Sequence, residues 1–137
     1  MASRVFAPPI AEPSIEIGLA SAPNAVGLVR KLVCEWYRHW QSPATVIEAA
    51  ELVTSELATN AIKADGREFR VRLRWDGTCG YVEVWDADPN PPVQQVVDET
   101  DLGGRGLLLV SQYAARWGFY SSDGGKVVWA ELRVAGA

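Results

Sequence analysis

The chain has 137 residues, which is enough for one domain with a hydrophobic core and too few for two. Hydrophobic residues make up 48% of it and charged residues 22%, a composition typical of globular proteins and not of disordered ones. Its net charge of -4 argues against direct binding of nucleic acid, which usually requires a basic excess.

Hydrophobic periodicity predicts eight elements after a short arm. Residues 1–13 contain three prolines and no clear period, so we expect a flexible N-terminal arm followed by one domain over residues 14–137. Alternating apolar residues favour strands, and apolar residues that recur every three to four positions favour helices. The chain therefore predicts, in order, a strand over 14–20, helices over 21–40 and 43–65, strands over 69–75 and 81–86, a helix over 107–115, and strands over 117–121 and 126–134.

The residues between these elements indicate how they connect. Ser42 and Pro43 form a good pair of N-cap and first helical residue for the second helix. The turns Asp76-Gly77 and Asp123-Gly124-Gly125 favour hairpins, whereas three prolines within 87–104 mark an irregular loop. Hairpins in place of parallel crossover units predict an α+β fold, a two-layer sandwich of a mostly antiparallel sheet with helices on one face.

The chain shows no signal for secretion or for a membrane. No apolar run reaches the roughly 20 residues of a membrane span, and no basic region followed by an apolar one begins the chain. Cys34 and Cys79 stand in unrelated contexts, without the spacing of a zinc site or a disulfide framework. We therefore expect a cytoplasmic protein with two free thiols and no membrane contact.

Three polar residues of the second helix form a row beside its apolar stripe. Glu56, Asn60 and Lys63 are spaced so that their side chains project from nearly one side of the helix. That side borders Val53 and Leu57 and does not face open water. A carboxylate and an amide at the edge of a core need partners, which a bound Mg-nucleotide would supply. The alternative is a surface row stabilised by contacts between successive helical turns.

A second candidate site lies where a predicted strand ends. Asp86 closes the strand over 81–86 just before the proline-rich loop. A carboxylate at the mouth of a sheet can accept a hydrogen bond from an exocyclic amine, such as that of adenine. With Asp88 it forms a DxD pattern, which also suggests divalent metal binding. The alternative for both residues is turn formation, since Asp and Pro commonly begin a loop.

A glycine-rich segment opens the predicted third helix. It consists of Gly103, Gly104, Arg105, Gly106 and Leu107. Glycines let a backbone approach phosphates closely, and a helix N-terminus offers free N–H groups and the positive end of the helix dipole. The segment is neither a Walker A motif nor a GxGxxG fingerprint, and a flexible loop at the helix entry is the alternative.

Together the three signals resemble the GHKL ATPase family. Residues 56–61 resemble its N-box, Asp86 its G1 box and residues 104–107 its G2 box, and residues 125–132 are similar to the last strand of small stand-alone members. The resemblance covers residues 14–134, and the closest subgroup is the anti-sigma-factor serine kinases. It implies the GHKL (Bergerat) ATP-binding fold, with ATP and Mg²⁺ as cofactors.

The resemblance also implies a role for each site residue. Asn60 would coordinate the Mg²⁺ that bridges the ATP phosphates, Asp86 would bind the adenine amine, and Glu56 would be the general base for a serine hydroxyl of a partner. The other residues expected to contact nucleotide are Lys63, Asp88, Gly104, Arg105, Gly106 and Leu107. The implied protein is an anti-sigma factor with serine/threonine kinase activity toward a STAS-type anti-anti-sigma partner, and a homodimer is one option.

Three departures from the family pattern leave a second interpretation open. The family often has His where Ala64 stands and Gly where Asp65 stands, and it usually has Gly or Ser where Asp88 stands. An added carboxylate near the nucleotide would disfavour phosphate charge or recruit another cation. The alternative is a non-catalytic module of the same fold, which binds nucleotide or a partner and acts as a switch without phosphotransfer.

Overall fold

The computed structural model describes residues 7–9, 12–64, 66–92 and 105–134, and only the backbone of 105–108. The elements are, in chain order, β1 (Ser14–Ala20), α1 (Ala25–His39), α2 (Ala44–Lys63), β2 (Glu68–Trp75), β3 (Cys79–Asp86), α3 (Arg105–Tyr113), β4 (Arg116–Ser122) and β5 (Gly125–Arg133). The predicted elements are confirmed in type and order, with shifted ends. The arm over 1–13 lies mostly outside the described residues and stays a prediction.

The five strands form one antiparallel sheet in the order β1-β2-β3-β5-β4. The strands β2 and β3 form one hairpin, and β4 and β5 form another. Because β5 pairs with β3, Lys126 lies opposite Asp86 and Val128 lies opposite Val84. The helices pack on one face of this sheet, so the predicted two-layer α+β sandwich is confirmed.

The hydrophobic core lies between α2 and the helix-covered face of the sheet. The apolar stripe predicted for α2 is buried throughout, at Val46, Ala50, Val53, Leu57 and Ala61. Opposite it lie alternate residues of the central strands, namely Phe69, Val71, Leu73, Val82, Val84, Val128, Ala130 and Leu132. The apolar residues that recur at helical spacing in α2 thus pack against the alternate apolar residues of the strands. This packing holds α2 over β3 and β5.

The start of α2 differs from the prediction. The helix begins at Ala44, and Pro43 occupies the N-cap position with an extended backbone (φ -59°, ψ 150°). The Ser42 hydroxyl is buried and has no hydrogen-bond partner among the described residues, so the prediction that Ser42 is the N-cap is wrong. Proline restricts φ but leaves ψ free, and Pro43 can therefore stand one residue outside the helix.

Cys34 and Cys79 are both free thiols, as predicted. Burial raises the pKa of each thiol, which keeps both largely protonated at neutral pH and therefore weak nucleophiles.

Across the described part of the chain, no helix has the length and hydropathy needed to cross a bilayer.

Tyr37 is buried and links α1 to the sheet. Its hydroxyl oxygen lies 3.1 Å from the carbonyl oxygen of Arg74 and 3.0 Å from that of Tyr81, and its one proton is shared between them. We expect Tyr37→Phe to lower the free energy of unfolding by about 1–2 kcal/mol, because both carbonyls lose a donor. Urea denaturation measures this loss. Tyr113→Phe is the control, since Tyr113 is 51% exposed, and equal losses in the two variants would contradict the prediction.

The sheet face opposite the helices, here called the outer face, carries its own buried cluster. This cluster consists of Tyr81, Trp85, Val127 and Trp129. The guanidinium of Arg70 lies 4.1 Å from the centroid of the Trp85 ring, and that of Arg116 lies 5.8 Å from the Trp129 ring. Arginine side chains thus cover aromatic rings on this face, in an arrangement that cation–π attraction favours.

Buried carboxylates anchor the arginines of the outer face. Glu131 is 1% exposed and accepts hydrogen bonds from Arg116, Arg133 and the Tyr81 hydroxyl. Burial alone would raise the pKa of Glu131, but these hydrogen bonds outweigh it and hold the pKa below its ordinary value. Arg74 pairs in the same way with the buried Glu83. On the outer face, the buried carboxylates of Glu83 and Glu131 are therefore each paired with arginine side chains.

Candidate functional site

A cavity of about 250 Å³ lies between α2 and the strands β3 and β5. Its size is slightly below the roughly 300–1,000 Å³ of typical small-molecule sites. It is lined by Leu57, Asn60, Lys63, Ala64, Val84, Asp86, Asp88, Pro91, Pro92, Lys126 and Val128. Four of the predicted nucleotide-contacting residues, Asn60, Lys63, Asp86 and Asp88, are thus brought together although they come from different elements.

The wall formed by α2 carries both apolar and polar residues. Leu57, Asn60 and Ala64 recur at helical spacing, so they share one face and reach the same cavity. Leu57 is buried, Asn60 is half-buried and Lys63 is exposed, which places the apolar end inward and the charged end toward solvent. Glu56 lies one turn before Asn60 and is half-buried, but it does not line the cavity.

Asp86 is the last residue of β3 and is only 4% exposed. Its Oδ1 atom accepts hydrogen bonds from Lys126 Nζ and from the backbone N–H of Asp88, each at 2.9 Å. Burial raises the pKa of Asp86 above its ordinary value, although the hydrogen bond and positive charge of Lys126 oppose this rise. Among the described residues, no donor is bonded to Oδ2, so this oxygen can accept a hydrogen bond from a ligand.

Lys126 belongs to the site but is not among the predicted site residues. It is 7% exposed, and its Nζ also donates to the Asp88 carbonyl oxygen at 3.2 Å and lies 3.9 Å from Asp88 Oδ2. The DxD pattern suggests a divalent metal ion. In the structure, the positive charge next to the Asp86 and Asp88 carboxylates is the ammonium group of Lys126. The sequence does contain a signal that could have identified Lys126. It is a single lysine next to four apolar residues, 127–130, at the start of a strand, and a lysine is rarely buried there unless it is paired.

Asp88 forms a turn and also lines the cavity. Its Oδ1 accepts hydrogen bonds from the backbone N–H and the side-chain amide of Asn90, at 2.9 and 2.8 Å. The Asn90 N–H lowers the pKa of Asp88, so the carboxylate stays ionised at neutral pH. The turn directs the chain from β3 toward Pro91 and Pro92, which close one side of the cavity.

The glycine-rich segment is described only in part. Arg105 is the first residue of α3, and Gly106 and Leu107 follow in its first turn. Gly104 lies outside the described residues. The helix packs against α2, the same helix that provides Asn60 and Lys63. The expected contacts of this segment with phosphates therefore stay predictions.

The donors and acceptors of the cavity fit a nucleotide bound with magnesium. A buried carboxylate suits a base amine, and Lys63 at the exposed end suits the negative charge of phosphates. The side-chain oxygen of Asn60 is a hard ligand of the kind that Mg²⁺ accepts alongside phosphate oxygens and water. Within the described residues, no three His, Cys, Asp or Glu side chains form a metal-binding cluster. Asn60 would thus be one protein ligand of an Mg²⁺ ion that phosphate oxygens and water also hold.

Comparison with known proteins places the chain within a family. Residues 19–132 match the model of the histidine kinase-like ATPase domain, and they include α2, β3 and all but the last residue of β5. The fold is similar to a crystal structure of the RsbU and RsbW domains of Rv1364c from Mycobacterium tuberculosis, with a TM-score of 0.67 and 19% sequence identity. The match covers 88% of this chain but only 32% of that one. No curated protein matches the chain. The chain belongs to the family of histidine kinase-like ATPase domains.

Proposed function

We propose that this chain is an ATP-binding regulatory protein, an anti-sigma factor that phosphorylates a serine or threonine of a STAS-type anti-anti-sigma partner. The observation that carries the proposal is the cavity in which Asn60 of α2 and Asp86 of β3 line one space. The chain belongs to a family of ATPase domains. Its sequence resemblance to anti-sigma-factor serine kinases supports the assignment of kinase activity. A cytoplasmic location and binding of a sigma factor in place of nucleic acid belong to the same proposal.

Each residue has a task in this proposal. Asp86 accepts a hydrogen bond from the adenine amine, while Leu57 and Val128 contact the faces of the base. Asn60 holds Mg²⁺, which when bound neutralises part of the phosphate charge, and Lys63 adds a positive charge at the solvent side. Glu56 orients the hydroxyl of the partner and accepts its proton.

The first experiment is isothermal titration calorimetry of ATP, with and without Mg²⁺. We expect magnesium-dependent binding to wild type and a loss of about 10–100-fold in Asn60→Ala, because the variant lacks the proposed metal ligand. Glu48→Ala is the control, since Glu48 is exposed on the same helix and does not line the cavity. Absence of binding to wild type at millimolar ATP would refute the nucleotide assignment and leave the fold unaffected.

A second candidate function is a non-catalytic switch module that binds nucleotide or a partner without phosphotransfer. One observation favours it: Glu56, the proposed general base, does not line the cavity. Binding of ATP without transfer of phosphate to any STAS-type partner would support this module over the kinase.

A further inference from the structure

We propose that Lys126 recognises the nucleotide base jointly with Asp86. The Lys126 ammonium donates a hydrogen bond to the ring nitrogen N1 of adenine, while Asp86 accepts one from the adjacent 6-amino group. This inference rests on the proposed binding of ATP and assigns a base-specificity role to a residue of β5.

Two of the three donors of the Lys126 ammonium group are bonded within the protein. Lysine carries three N–H donors, and Lys126 directs one to Asp86 Oδ1 and one to the Asp88 carbonyl oxygen. Among the described residues, the third donor has no hydrogen-bond acceptor. The side chain is only 7% exposed and lines the cavity, so a ligand bound there can supply an acceptor for this donor.

Asp86 and Lys126 form a side-by-side pair in the wall of the cavity. Asp86 and Lys126 are directly opposite each other in the ladder of β3 and β5, with 2.9 Å between carboxylate oxygen and ammonium nitrogen. The cavity therefore offers an acceptor and a donor side by side. The edge of adenine has the complementary order, an amine donor beside a ring-nitrogen acceptor. Leu57, Val84 and Val128 supply apolar walls for the faces of a planar ring.

A purely structural role for Lys126 makes a different prediction. A lysine that only neutralises the buried Asp86 carboxylate would be indifferent to the identity of the ring atom at position 1. A lysine that donates to N1 would discriminate strongly against a base lacking this acceptor, because the buried donor would then be left unpaired.

The test compares ATP with 1-deaza-ATP, in which a C–H group replaces N1, by calorimetry on the wild-type protein. We expect 1-deaza-ATP to bind about tenfold more weakly or worse, the loss typical of one hydrogen bond to a charged group. The comparison needs no variant, so a folding defect cannot obscure it. Lys126→Met should bind the two nucleotides with similar affinity.

Lys63→Met is the matched control, because Lys63 also lines the cavity but at its exposed end. This variant should bind both nucleotides more weakly, by the same factor, and retain the preference for ATP.

Equal binding of ATP and 1-deaza-ATP by wild type would overturn the role of Lys126 while ATP binding itself stands. GTP binding as tight as ATP binding would overturn the assignment of the adenine edge. Failure of wild type to bind any of these nucleotides would overturn the proposed function as well.

Discussion

Replacing Glu56 with glutamine is expected to slow phosphotransfer to a STAS-type partner at least 100-fold while nucleotide affinity stays unchanged. Glutamine has the same size but cannot accept the proton of the attacking hydroxyl, and general-base catalysis is worth about 10²–10⁴ in rate. Because Glu56 is half-buried and lies outside the cavity lining, we expect the substitution to remove no contact to a bound nucleotide. Transfer of radiolabelled phosphate from ATP to purified STAS-domain proteins of the same organism measures the rate, and calorimetry measures the affinity.

Glu48→Gln provides the control for this experiment. Glu48 is an exposed glutamate of the same helix, so its change has the same chemistry without proximity to the cavity. If Glu56→Gln phosphorylated the partner at the wild-type rate, the assignment of Glu56 as the base would be wrong. A parallel loss of ATP affinity would instead place Glu56 in nucleotide binding.

The largest effect on stability is expected from Gly125→Ala. Gly125 is the buried first residue of β5, where a Cβ atom would overlap the carbonyl oxygen of Asp86 and lie 3.0 Å from the Cα of Ala87. These are backbone atoms, so relief of the overlap requires β3 and β5 to separate. We expect a loss of about 3 kcal/mol or more in the free energy of unfolding, measured by urea denaturation.

Gly27→Ala is the matched control for Gly125→Ala. Gly27 is exposed on α1, and a Cβ atom there would meet nothing within 4 Å. Alanine is a better helix former than glycine, so this variant should gain about 0.5–1 kcal/mol. If Gly125→Ala were as stable as wild type, the close approach of β5 to the end of β3 would be refuted.

Much of the fold could be predicted because each element has an unambiguous local pattern. The alternation of apolar residues over 69–75 fits only a strand, and the apolar spacing from Val46 to Ala61 fits only a helix. The apolar residues of both segments are buried, as expected. The start of α2 could not be predicted in this way. Whether Pro43 is the first helical residue or the N-cap depends on its ψ angle, which its own sequence leaves free.

The site was predictable where its residues form local motifs. Asn60 and Lys63 follow from helical spacing, and Asp86 follows from its place at a strand end, whereas Glu56, predicted from the same spacing, does not line the cavity. Lys126 is different, because it becomes a site residue only through the pairing of β5 with β3. A strand pattern gives the period of a strand but not its neighbour in the sheet, and a partner 40 residues away is therefore invisible to local reasoning.

The arginines of the outer face oppose association of the protein with itself at high concentration. Bare indole rings on an open sheet would favour stacking of one sheet on another. Here Arg70 and Arg116 lie over Trp85 and Trp129, so an approaching copy meets guanidinium groups in place of rings. Removing these two side chains would leave the cavity on the opposite side of the sheet intact and would expose indole rings, which favours aggregation.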